Sequence, residues 1–313
     1  MIDAVILFFL FGLASGLVRS ELKIPPSLYD TLTVFLLLSI GLKGGEGLAK
    51  QALGPLLPQL GAVMLLGVVQ TLIAFALLRV AGRLGRADAA AMAAHYGSVS
   101  VATFAVGANW LMTRGIDFEP QLAIFLAVME VPAILVGIVL VRGVSKDTDW
   151  RALGQETFLG KGVMLLLGGM AIGWAAGPEG LAPLKPMFYD LFKGALALFM
   201  LEMGLVVSRQ TGELRQRGVL LVTFGVLMPL LGGLLGLGCG MALNLSVGGM
   251  TLLATLAASA SYIAVPATMR LAVPEANPTL SLAAVLGVTF PFNILVGIPI
   301  YHWLAVQMAG VTP

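Results

Sequence analysis

Residues 122–140, LAIFLAVMEVPAILVGIVL, recur 160 positions later as LAAVLGVTFPFNILVGIPI at 282–300, with the run Ile-Leu-Val-Gly-Ile unchanged. The offset is about half of the 313-residue chain, so the chain reads as two related halves. Both copies are almost wholly apolar. Over the whole chain 58% of residues are hydrophobic and 11% charged, with a mean hydropathy of +0.98. Soluble domains carry roughly 25% charged residues. So much apolar surface cannot be hidden from water within one chain of this size, so a lipid bilayer must be its solvent. Related apolar halves are the pattern of secondary transporters, which bind substrate near the midplane, between repeats.

A membrane-spanning helix needs about 20 mainly apolar residues. Ten spans are expected, at 4–18, 28–42, 56–79, 88–112, 121–141, 160–176, 187–207, 217–243, 249–272 and 280–307. The expected fold class is therefore an all-α membrane protein of ten transmembrane helices in two five-helix repeats. These are residues 1–143 and 160–313, joined by a cytoplasmic linker at 144–159. Five is odd, so the second repeat enters from the opposite side and the repeats are inverted. Smaller matches agree: Tyr29-Asp30 with Tyr189-Asp190, Gly41-Leu42 with Gly204-Leu205, and Ala102-Thr103 with Ala267-Thr268. The apolar start imitates a signal peptide. It follows Asp3 rather than basic residues and has a counterpart at 162–176, so it is read as span 1.

Thirteen of the eighteen Lys and Arg residues fall on one side of this arrangement, among them Arg79, Arg83, Arg86, Arg142, Arg209 and Arg270. The other side holds Lys43, Lys50, Arg114, Lys185 and Lys193. The positive-inside rule makes the first side cytoplasmic and leaves both termini outside. A formal net charge of +2 gives no pointer to nucleic acid. The lone Cys239 has no disulfide partner and reads as a packed thiol.

Spans 4 and 9 carry the polar centre. Span 4 reads Ala94-His-Tyr-Gly-Ser-Val-Ser-Val-Ala-Thr103, and span 9 reads Ala257-Ala-Ser-Ala-Ser-Tyr-Ile-Ala-Val-Pro-Ala-Thr268. Pro266 disfavours helix at the residue before it. Either stretch alone reads equally as small-residue packing. At matched places in inverted repeats, they are expected to be broken helices that cross at the midplane. A break frees N–H groups at the start of the following half-helix, where the dipole also attracts an anion. Ser98, Ser100, Ser259, Ser261 and Tyr262 would add hydroxyls.

Glu130 lies inside span 5, where a bare carboxylate costs at least about 2.5 kcal/mol and so faces a cavity or partner. It reads as a sodium ligand, a proton carrier or a structural hydrogen-bonding group. Asn293 holds the matching region of span 10. Glu202 reads as a structural partner of Arg209, an interface group or a transport residue, His95 as a packed histidine rather than a ligand, and His302 as interfacial. There is no His/Cys metal pattern, P-loop or Ser/His/Asp set, so no enzyme activity or cofactor is expected, and either an ion gradient supplies the energy or transport is passive.

These stretches resemble the cyanobacterial-type sodium-dependent bicarbonate transporter family. The resemblance is strongest over 257–300: Ala-Ser-Ala-Ser-Tyr-Ile-Ala, Pro274-Glu-Ala-Asn-Pro278, Ser281-Leu282, Gly287 and Thr289-Phe-Pro-Phe-Asn293. Ile40-Gly-Leu with Gly44-Gly45, Leu201-Glu-Met-Gly204 and Asp190-Leu-Phe-Lys-Gly194 also fit. The resemblance implies a homotrimer in the bacterial inner membrane. Its anion residues would be Gly97, Ser98, Val99, Ser100, Ser259, Ser261 and Tyr262; Thr103, Glu130 and Asn293 would hold sodium. Residues 80–141 and 245–308 would move against a scaffold of 1–79 and 160–244. Val101 and Ala102 replace a Gly and a Ser of the family stretch, which bears on the anion bound. The cytoplasmic linker is also short for members inhibited by a trimeric PII-like protein, and no residue here points to that partner. The expected function is sodium-coupled bicarbonate import by alternating access. The alternatives are another small anion, proton coupling, or an anion sensor that binds without flux.

Overall fold

The computed structural model describes residues 3–50, 54, 56–143, 154–155 and 159–310, with the side chains of 211–217 left aside. Its described residues are helical, with no strand among them. The first half has α1 (Ala4–Leu17), α2 (Pro26–Leu48), α3 (Leu56–Val80), α4 (Arg86–Gly97), α5 (Val101–Met112) and α6 (Leu122–Arg142). The second has α7 (Lys161–Leu181), α8 (Phe192–Ser208), α9 (Thr211–Ala242), α10 (Val247–Ala258), α11 (Ala264–Ala272), α12 (Pro278–Ala284) and α13 (Ile298–Ala309). Two π-turns, Val285–Thr289 and Asn293–Gly297, carry α12 towards α13 around Phe290–Phe292. Pro291 has no N–H to donate into the ladder there, and a π-turn is one way to absorb that loss. Most of the expected linker, 144–159, lies outside the described residues.

Among the described residues six helical stretches, two of them interrupted, are long and apolar enough to cross a membrane: Pro26–Leu48, Leu56–Val80, Arg86–Met112, Leu122–Arg142, Gly218–Ala242 and Pro278–Ala309. The other four expected spans depart for local reasons. The α1 helix has 14 residues and α8 has 17. In α7 the backbone is non-helical at Gly177 (φ 62), just before Pro178. Span 9 is divided between α10 and α11. The chain is thus a multi-pass membrane protein. Its α2 also runs six residues past the expected end at 42, because its glycine-rich C-terminal turns pack on α7 and Pro120.

Packing in the two halves corresponds. The α1 helix packs along α8, and α2 along α7. Each pair touches through glycines. A Cβ on Gly12 would lie 2.0 Å from the Leu201 carbonyl oxygen, and one on Gly204 would lie 2.2 Å from that of Phe9. On the other pair, a Cβ on Gly173 would lie 2.3 Å from the Leu42 carbonyl oxygen, and one on Gly45 2.1 Å from that of Met170. Gly12 and Gly173 stand 161 positions apart, Gly45 and Gly204 159. Small residues let helix backbones approach this closely within a membrane. Likewise α3 packs on α4 and α6, as α9 packs on α10 and the α12–α13 rod.

Side chains tie the helices together at each end of the bundle. At one end Arg79 donates to the Leu84 carbonyl (2.6 Å), Arg86 to that of Leu140 (2.6 Å) and Arg142 to that of Ala272. At the other, Asp3 caps α1 and accepts from Asn109 Nδ2 at 3.0 Å. Glu119 there accepts from the Ser246 amide at 2.6 Å, and the His302 ring meets Trp110 at 5.1 Å.

Candidate functional site

The α4 helix ends at Gly97, where α3 stands so close that only a glycine fits. A Cβ there would lie 1.8 Å from Thr71 Oγ1 and 2.7 Å from the Gly67 carbonyl oxygen. The chain then runs extended, with Ser98 at φ −89, ψ −177 and Ser100 at φ −113, ψ 118. Ser100 caps α5, its Oγ accepting from the Thr103 amide at 3.2 Å. In the second half α10 ends likewise at extended Ser259 (φ −80, ψ 172), and α11 resumes at Ala264.

The two interruptions meet. The Ser100 N–H donates to Ser259 Oγ at 2.8 Å, and that hydroxyl donates to the Leu256 carbonyl at 2.7 Å. The Ser261 N–H donates to the His95 carbonyl at 2.9 Å. His95 Nδ1 lies 2.5 Å from the Ser261 carbonyl oxygen, an acceptor only, so Nδ1 carries the proton. His95 is thus a packed clasp between the breaks.

The carbonyls freed at the end of α10 are capped from elsewhere. Gln70 Nε2 donates to the Ala257 carbonyl at 2.6 Å, and Asn293 Nδ2 to that of Ala258 at 2.8 Å. The donors freed at α5 are not all taken. Among the described residues no backbone carbonyl or side chain accepts from the Val101 or Ala102 amide. Ser98 Oγ and the Tyr262 hydroxyl are also buried without a hydrogen bond; Tyr262 approaches Ser100 without one of ordinary geometry. Unpartnered hydroxyls, open amides and the positive end of α5 thus lie close together in sequence at the buried breaks. Such donors suit a small anion.

Each residue expected to hold sodium is buried or lines a cavity. Glu130 lines a cavity of about 210 Å³ with Thr33, Leu37, Val101, Lys161 and Thr268. Val101 opens α5 and Ile263 precedes α11, so this cavity reaches both breaks. Thr103 is buried one turn into α5. Asn293 is engaged at both ends: Nδ2 holds the Ala258 carbonyl, and Oδ1 accepts from the Tyr301 hydroxyl at 2.9 Å. No hydrogen bond joins it to Glu130 or Thr103. Gly97 and Val99 are buried at the first break, as Ser261 is at the second.

Other expectations resolve locally. Glu202 is 7% exposed, Oε2 has no hydrogen bond, and no ion pair with Arg209 forms. His302 lies beside Thr251 Oγ1 at 3.2 Å. Among the described residues no three His, Cys, Asp or Glu side chains cluster as metal ligands. Sequence reasoning missed Gln70, Thr71 and Tyr301, which shape the breaks from outside them. Gln70 left one signal, an amide in the middle of an apolar span.

The sequence pattern of the Na+-dependent bicarbonate transporter superfamily matches residues 4–306. The chain belongs to that superfamily. It is a family of transporters, not of enzymes. No curated protein matches the chain.

Proposed function

We propose that the protein imports bicarbonate together with sodium by alternating access. The observation that carries this reading is the meeting of the two helix interruptions, with the Ser100 amide on Ser259 Oγ and buried hydroxyls left open beside it. In this reading the anion binds the α5 amides, Ser98, Ser100, Ser261 and Tyr262. Sodium sits alongside, held by Glu130 with Thr103. The cation offsets the incoming negative charge in a low-dielectric site. Asn293 serves the site by holding the end of α10.

The halves act as inverted five-helix repeats of a ten-helix bundle. The matched glycine contacts of α1 with α8 and of α2 with α7 support that relation. The elements within 80–141 and 245–308 move against α1, α2, α7 and α8 of the scaffold. The arginine-bearing end faces the cytoplasm and the Asp3 end faces outward, in a bacterial inner membrane. Assembly as a homotrimer rests on the family resemblance.

Labelled bicarbonate uptake into proteoliposomes tests the reading. Uptake should follow an inward sodium gradient and collapse without it. Bicarbonate binding without flux would make the protein a sensor, and uptake driven by a proton gradient alone would replace sodium.

A further inference from the structure

A second cavity, of about 200 Å³, lies at the Asp3 end of the bundle. It is walled by Ile40 and Lys43 of α2 and Phe192 of α8 on one side, and by Phe104 and Met112 of α5 on the other. It therefore straddles the boundary at which one group of helices would move against the other. Lys43 is the one charged residue lining it. Its ammonium stands 4.4 Å from the Phe192 ring centroid and 5.0 Å from that of Tyr189. Rings hold a cation without neutralising it.

The nearby carboxylates leave that charge open. Glu46 accepts from the Tyr189 hydroxyl at 2.5 Å and pairs with Lys50 at 3.8 Å and Lys185 at 3.7 Å. Asp190 acts on Lys43 only from beyond ion-pair distance, and Lys43 has no ion pair among the described residues. The cavity also points at the breaks. Phe104 stands four residues past Ser100, so its wall lies about 6 Å along α5 from the first break. Along α2, Leu37 lines the Glu130 cavity and Ile40 lines this one, less than a turn apart. The two cavities thus approach the same level from opposite ends.

We propose that this cavity is an outer vestibule in which Lys43 captures a small monovalent anion before it reaches the crossing. The proposal rests on the transport reading above for the anion's destination, but not for the vestibule's charge. Clefts lined by one sign of charge with low-dielectric walls raise the local counter-ion concentration by roughly ten- to a thousand-fold, and a single lysine acts at the low end of that range.

The test uses full-length protein with Cys239→Ala and a reporter, Met112→Cys, on the cavity wall. Its modification is timed with a sulfonate-bearing and a trimethylammonium-bearing methanethiosulfonate, and uptake of labelled bicarbonate is measured in parallel. Lys43→Gln should lower the anionic-to-cationic rate ratio roughly tenfold and raise KM by a similar factor, with the maximal rate kept. Lys43→Arg should retain both. An unchanged rate ratio overturns the proposal, and so does a lowered ratio with unchanged KM. If the protein takes up no bicarbonate, yet modification stays charge-selective and bicarbonate slows it, the vestibule stands and the transport reading falls.

Discussion

Replacing Asn293 by Asp exchanges one atom, Nδ2 for oxygen, and separates two roles for that residue. Asn293 is fully buried, with Oδ1 accepting from the Tyr301 hydroxyl and Nδ2 donating to the Ala258 carbonyl at 2.8 Å. A Cβ at Gly297 would lie 2.7 Å from Oδ1, so the amide fits against bare backbone. In the aspartate variant Tyr301 still has its acceptor. Once the new carboxyl ionises, the Ala258 carbonyl loses its donor, at about 1–3 kcal/mol, and faces a second oxygen instead. If the new carboxylate ionises without a partner, the total reaches about 3–5 kcal/mol. A tether at Asn293 therefore predicts that Asn293→Asp melts at a clearly lower temperature in detergent, loosens the end of α10 and weakens anion uptake without any gain in sodium affinity. Tyr301→Phe, which removes one hydrogen bond, should cost about 1 kcal/mol. A sodium ligand predicts the reverse, because a carboxylate binds a hard cation better than an amide does. Tighter sodium dependence with an unchanged melting temperature would refute the tether.

Glu130→Gln keeps the side chain's shape but removes its charge, and should weaken apparent sodium affinity roughly tenfold or more. By reciprocal linkage, sodium should then stimulate anion binding less. A variant that loses pH dependence but keeps its sodium response would instead mark Glu130 as a proton carrier. Ser261→Leu should abolish anion uptake, measured in proteoliposomes, while its melting temperature shows whether the bracket with His95 survives. Gly204→Ala puts a Cβ 2.2 Å from the Phe9 carbonyl oxygen, and should destabilise the α1–α8 pair by about 1–3 kcal/mol in thermal melts. A cysteine at Met308 should label from outside intact cells and one at Asp147 should not; the opposite result inverts the proposed orientation.

What could be read from the sequence was what repeats or what is costly to bury. The 160-residue echo and the thirteen-to-five division of Lys and Arg are whole-chain patterns, and the contacts of α1 with α8 and α2 with α7 match the first of them. The breaks were legible because serines and glycine concentrate where a lipid-facing helix would carry Leu and Ile, and Pro266 marks the second. The supports of the breaks were not legible, because their reasons lie in other helices. Gly97 reads as one more small residue until Thr71 Oγ1 is found where its Cβ would be. Asn293 reads from the sequence as a cation ligand by its place opposite Glu130 in the repeat, and the Ala258 carbonyl and Tyr301 hydroxyl add a second use of its amide that lies outside span 10's own pattern. Every chain break in a membrane leaves carbonyls as well as amides. At the end of α10 the carbonyls are capped by Gln70 and Asn293, whereas the first amides of α5 stay open. In the reading proposed above, an anion would take the open amides and a cation would find its carboxylate in the Glu130 cavity, which reaches both breaks.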